Sequence, residues 1–143
     1  VVVLDQAGNL VAGTSTGGMT GKRWGRIGDS PVIGAGTYAD NRSCAVSATG
    51  HGEYFIRHTV ARDICARMQF GGMTLEEASS AVIMEELVAA AGEGGIVAVD
   101  PAGEVALVFN TPGMYRASID AMGRKVVGIY GENETPQHNE RKK

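Results

Sequence analysis

Two stretches with a helical period lie side by side in the middle of this chain, and strand-like segments flank them on both sides. In the first, from about Glu53 to Phe70, Ile56, Val60, Ile64 and Met68 recur at intervals of four, as the buried stripe of a helix does. Gly71-Gly72 stops it. Thr74 then caps a second helix, with Glu77 completing a capping box, and Leu75, Ala78, Val82 and Leu87 mark its inner face. That helix runs to about Ala91, and Gly92 to Gly95 ends it. Upstream, Val1–Leu4 and Leu10–Gly13 flank the turn Asp5–Asn9 as a β-hairpin, and strands are expected at Val32–Tyr38 and Ser43–Ala48. Downstream, strands are expected at Ile96–Val99, Val105–Phe109 and near Val126–Ile129. Helices grouped together exclude alternating βαβ units and predict an α+β fold with antiparallel sheet.

The length of 143 residues suits one domain. We expect it to span 1–130, with 131–143 as a polar, disordered tail. Thirteen Lys and Arg against 16 Asp and Glu leave a net charge of -3, which offers no footprint for nucleic acid and nothing polybasic for a membrane. No apolar run approaches the roughly 20 residues that cross a bilayer. Cys44 and Cys65 lack the number for a disulfide framework and the spacing of a zinc site. They read as two buried thiols in a reducing compartment, with one bridge of a secreted protein as the alternative, and the expected location is cytoplasmic. The chain opens on Val1-Val2-Val3-Leu4, without an initiator Met or signal peptide, as a strand already under way. Such a strand is expected to be completed by an upstream partner chain.

Between the first hairpin and the next strand lies a Gly- and Thr-rich stretch, Thr14 to Asp29, with no period. A long aperiodic loop inside a compact domain is usually functional, and the only Trp, Trp24, lies in it. Several motifs nearby fail. Gly13 to Gly18 has P-loop glycine spacing, but Met19 stands where a Lys is required. Gly34-x-Gly36-x-x-Ala39 matches the relaxed dinucleotide fingerprint, yet a turn at Asp40-Asn41 follows where a helix should open. These glycines read as residues of a crowded strand. His51, His58 and His138 make no metal triad and read as solvated or capping residues, so no metal site is expected.

Two clusters remain. One is Thr14-Ser15-Thr16-Gly17-Gly18 with Gly25-Arg26-Ile27-Gly28-Asp29, and the other is Ala48-Thr49-Gly50-His51-Gly52-Glu53. Arg26 can grip a carboxylate with two parallel hydrogen bonds, and Asp29 can accept from an ammonium. Together they fit the zwitterionic end of an amino acid, although Arg and Asp three apart equally form a local ion pair. Thr49-Gly50 suits a helix cap or an oxyanion hole. Spacing alone leaves both choices open.

The run TSTGGMTGKRWGRIGDSPVIGAGTYADN, then ATGHGE, GGIVAVDPAGEVAL and FNTPGMYRA, resembles the β chain of the plant-type (type III) asparaginases, also called isoaspartyl peptidases. These are N-terminal nucleophile hydrolases, and the resemblance extends from Val1 to about Tyr130. Glycosylasparaginases typically carry Thr-Asn-Gly at Thr16-Gly17-Gly18 and Gly-Asn-Gly-Asp at Gly50-His51-Gly52-Glu53, so that branch is the alternative. A non-catalytic aspartate-binding or scaffold subunit is the other alternative.

The resemblance implies a four-layer αββα sandwich of which this chain is the C-terminal, β half. The α subunit from the same autocatalytically cleaved precursor is the implied partner, in an (αβ)2 assembly. The implied reaction is hydrolysis of the side-chain amide of L-asparagine, or of the isopeptide bond of β-aspartyl peptides. Its nucleophile is an N-terminal Thr whose own α-amine serves as base. Family β chains begin Thr-Val-Gly about three residues before the position of Val1, so this chain alone is expected to be inactive. Residue by residue, Thr16 matches the threonine that hydrogen-bonds the nucleophile, and Thr49 and Gly50 match the oxyanion-stabilising pair. Arg26 matches the ligand of the substrate α-carboxylate. Asp29, helped by the Gly52 backbone, matches the recogniser of the α-amino end, and Gly50 counts among the substrate-binding residues as well. No cofactor is implied, apart from a structural sodium in the companion chain.

Overall fold

The computed structural model describes residues 1–131, so the tail expected over 131–143 lies outside the described residues beyond Gly131. The chain is mixed α and β. β1 (Val2–Leu4) and β2 (Leu10–Ala12) form the expected hairpin, paired antiparallel with Val3 opposite Val11. Its turn is tied by Asp5, whose Oδ1 accepts from the N–H groups of Ala7 and Asn9 at 2.8 and 2.7 Å. A four-stranded antiparallel sheet follows, ordered β3 (Thr37–Ala39), β4 (Ala45–Gly50), β5 (Gly94–Val99) and β6 (Val105–Ala106). β7 (Gly113–Ile119) and β8 (Lys125–Tyr130) make a second hairpin.

Alternation along the two central strands sorts the molecule into layers. Val46, Ala48, Ile96 and Ala98 face the helices, in a core with Phe55, Ile64, Ile83 and Leu87. Ala45 and Val99 face the other way, onto Leu10, Val2 and Leu4 of the first hairpin. Helices therefore cover one face of the sheet and a hairpin the other.

The helices depart from expectation in an instructive way. The stretch expected as one helix from Glu53 to Phe70 is two, α1 (Gly52–Arg57) and α2 (Val60–Gly71), broken at Thr59, whose backbone is left-handed at φ 47°. The break rephases the buried stripe. Phe55 is fully buried in α1 while Ile56 is only half-buried, and α2 buries Val60, Ala61, Ile64 and Cys65. The second helix starts as expected, at a complete capping box of Thr74 and Glu77. It begins as α3 (Leu75–Ser80), widens into a π-helical segment over Ala81–Glu86 and ends as α4 (Leu87–Ala89). Leu75, Ala78, Val82 and Leu87 are all buried. Asn110 Nδ2 donates to Ile83 O in the widened segment and to Gly92 O, while its Oδ1 accepts from Gly94 N. One side chain thereby joins the π segment to the start of β5, which gives the Asn of the FNTPG motif a structural task.

Other expectations are corrected. Residues 29–36 form turns rather than a strand, because Gly36 packs its backbone against Asp29, and β3 begins only at Thr37. β6 is two residues long, and the segment expected to reach Phe109 meets the sheet again only at a Gly95–Phe109 bridge. Strand β7 has no counterpart in the sequence reading. Cys44 and Cys65 are not free thiols: they form a disulfide, fully buried between the entry to β4 and α2. With a sequence separation of 21, closing that loop is worth about 3 kcal/mol through the unfolded chain. Among the described residues no helix is long and apolar enough to cross a membrane.

Candidate active site

One cleft of about 980 Å³ gathers Thr16, Arg26, Asp29, Thr49 and Gly50. That is the upper end of the volume range of small-molecule sites. The aperiodic loop forms one wall and the end of β4 the other. Trp24 takes no part in it and is fully exposed.

Asp29 is the most firmly placed of these residues. Its carbonyl accepts from Val32 N at 2.9 Å and Gly36 N at 3.2 Å. A side-chain carbon at Gly36 would lie 2.5 Å from Asp29 O, and one at Gly52 would lie 2.8 Å from Asp29 N and 2.9 Å from its Oδ1. Glycine is needed at both positions because backbone passes within contact of Asp29, which accounts for Gly36 of the dinucleotide-like spacing. The side chain is 5% exposed, and its buried Oδ2 has no hydrogen-bond partner. Burial pushes its carboxyl above the ordinary carboxylate range, against smaller opposing pulls from its own backbone N–H and from Arg26. A buried acceptor without a donor costs free energy unless something supplies one. An incoming ammonium would.

Arg26 does not close on Asp29. Its guanidinium leans toward Glu53, with Nη2 3.9 Å from Oε2, and folds over Gly28, where a side-chain carbon would lie 2.7 Å from Nη1. The local ion pair allowed by the spacing is therefore not formed, and the two charges stay separately available on the cleft wall.

Thr49 and Gly50 end β4, both exposed to the cleft. The capping alternative for Thr49 fails, because the residue at the cap position of α1 is His51, without a side-chain cap. His58 closes the same helix. Gly50 has φ 150° and passes so close to β5 that a side-chain carbon would lie 2.4 Å from Glu93 O. Thr16 Oγ1 accepts from Gly18 N at 2.9 Å and is exposed. Gly52 supports the site through Asp29 rather than by lining the cleft.

One residue of the site, Ser47, escaped the sequence reading, and another, Thr14, stood in its first cluster without a role. Ser47 Oγ accepts from the Val1 backbone nitrogen at 3.1 Å and donates to Gly13 O at 3.2 Å. Thr14 Oγ1 donates to Ser30 O at 2.6 Å, holding the two halves of the loop together. The signal for Ser47 was its period-2 relation to Thr49, which puts both on the cleft face of β4. Among the described residues no group of His, Cys, Asp and Glu could hold a metal ion, and His138 lies outside them.

A family model described as asparaginase matches residues 1–129. The chain is 57% identical over 131 residues to the isoaspartyl peptidase of Escherichia coli, covering 92% of this chain and 41% of that protein. It is 56% identical over 131 residues to the isoaspartyl peptidase of Salmonella typhimurium, covering 92% and 42%. To an isoaspartyl peptidase/L-asparaginase of Danio rerio it is 44% identical over 110 residues, covering 77% and 35%. The chain thus spans less than half the length of each of these relatives.

Proposed function

The chain belongs to the asparaginase family, and from that premise we propose that it is the β half of an isoaspartyl peptidase with L-asparaginase activity. The observation that carries this reading is the separated pair Arg26 and Asp29 on one cleft wall, with an unpartnered buried carboxylate oxygen on Asp29. Arg26 takes the substrate α-carboxylate and Asp29 the α-ammonium. The side-chain carbonyl then lies toward Thr49 and Gly50, which steady the negative oxygen as it develops.

The nucleophile in this reading is a Thr hydroxyl a few residues before Val1. The Val1 backbone nitrogen, held by Gly13 O at 2.7 Å and by Ser47, already lines the cleft, so chain extended from it would enter that cleft. The hydroxyl attacks the carbonyl carbon, its proton passes to the Thr α-amine, and the amide C–N bond breaks as the leaving amine takes that proton. Water then cleaves the ester and releases aspartate. The partner is an α subunit from the same precursor, which adds the remaining layers of an αββα sandwich to the helix, sheet and hairpin seen here, in an (αβ)2 assembly. No cofactor enters the chemistry, and any structural sodium belongs to the companion chain. The Cys44–Cys65 bridge counts against the cytoplasmic location expected earlier, because cytosol keeps thiols reduced.

The test is turnover by the whole precursor-derived protein. Release of aspartate from a β-aspartyl dipeptide and of ammonia from L-asparagine supports the reading. Aspartate binding by calorimetry without either product would leave a binding subunit instead, and turnover confined to glycosylated asparagine would favour a glycosylasparaginase.

A further inference from the structure

The charges on the cleft wall outnumber what asparagine can use. Lys22, Arg26 and Asp29 are the Lys, Arg and carboxylate side chains on its wall, two cations and one carboxylate. L-Asparagine brings one ammonium and one carboxylate, which Asp29 and Arg26 satisfy. A β-aspartyl dipeptide brings a second carboxylate, on the leaving residue, and the extra cation remains for it.

Local structure holds Lys22 in place to do this. Lys22 N donates to Met19 O at 3.1 Å across a turn containing Gly21 at φ 72°. The turn folds the lysine stem back over Gly18, where a side-chain carbon would lie 2.6 Å from both Lys22 Cδ and Nζ. Gly18 is itself bonded to Thr16 through its N–H. The ammonium thus rests on the residue hydrogen-bonded to Thr16, and among the described residues it forms no ion pair. We propose that Lys22 is a specificity residue that binds the free carboxylate of the leaving amino acid, and so favours β-aspartyl dipeptides over L-asparagine.

This rests on the functional reading above, and the experiment separates the two. The whole enzyme and its Lys22→Met and Lys22→Arg variants are assayed on a β-aspartyl dipeptide, on the same dipeptide with its C-terminus amidated, and on L-asparagine. Lys22→Met should lower kcat/KM for the free-acid dipeptide by about tenfold, the scale of one charge-assisted contact. The amidated dipeptide and L-asparagine should change less than about twofold, and Lys22→Arg should restore most of the loss. A free-acid to amide ratio unchanged in Lys22→Met, or an equal fall on all three substrates, would overturn the proposal alone. A wild type that turns over none of the three would overturn the functional reading and this proposal with it.

Discussion

Two Arg–Asp pairs close together in this chain behave in opposite ways. At the surface turn after β3, Asp40 and Arg42 satisfy each other. Arg42 Nε and Nη2 donate to the two carboxylate oxygens at 3.0 and 2.7 Å, and its backbone N–H donates to Oδ1 at 2.9 Å. Those bonds hold the Asp40 carboxyl down at about 2. At the cleft, Arg26 turns toward Glu53 and leaves Asp29 buried, with its carboxyl pushed up by burial. A charged pair that is self-sufficient belongs to the architecture. A pair kept apart, with an acceptor lacking its donor, is set up for a ligand.

The strongest way to break this contrast is to remove the cleft guanidinium. Arg26→Ala should lower kcat/KM on β-aspartyl dipeptides by about 10²- to 10³-fold, the worth of two charge-assisted bonds. Unchanged kinetics would strip Arg26 of its binding role. Thr49→Val sharpens the division between the charged end and the reacting end. It should cost about 10²-fold in kcat with little change in KM, and a loss of tenfold or less would remove Thr49 from the oxyanion site.

Acid separates the two aspartates by sign. Asp29 must be ionised to take an ammonium, so aspartate affinity should fall about tenfold per pH unit below its raised pKa. Stability moves the other way there. Because the folded-state pKa of Asp29 is raised, its contribution is fully present below the unfolded value of 3.8 and is lost as pH rises through the folded value. Asp40 is the reverse, its contribution present above 3.8 and lost as pH falls toward about 2. Thermal melts of Asp29→Asn and Asp40→Asn across pH 2–7 should therefore differ from wild type in opposite directions with pH. The smallest effect belongs to Arg42→Ala. Its guanidinium is exposed, so Tm should drop by about 2 °C or less and kcat/KM should hold.

Much of the local architecture was legible before any coordinates. The Asp5–Asn9 turn, the capping box at Thr74 and Glu77, and the buried stripe Leu75, Ala78, Val82 and Leu87 depend on residues within a few positions of one another, and each is present. The site residues were nameable only through matching motifs. From spacing alone Arg26 and Asp29 were as good an ion pair as a binding pair, and Thr49 as good a cap as an oxyanion donor.

The sequence by itself thus determined the first hairpin, the helical region between about residues 53 and 91 with its capping box, and which polar residues were candidates, because caps, turns and periodicity are short-range effects. Tertiary structure decided the rest: the break at Thr59, the Cys44–Cys65 bridge, and the burial of Asp29 between Gly36 and Gly52. Each of these depends on segments far apart in the chain coming within van der Waals distance. That proximity, and the shift it imposes on a buried charge, is encoded in no local pattern.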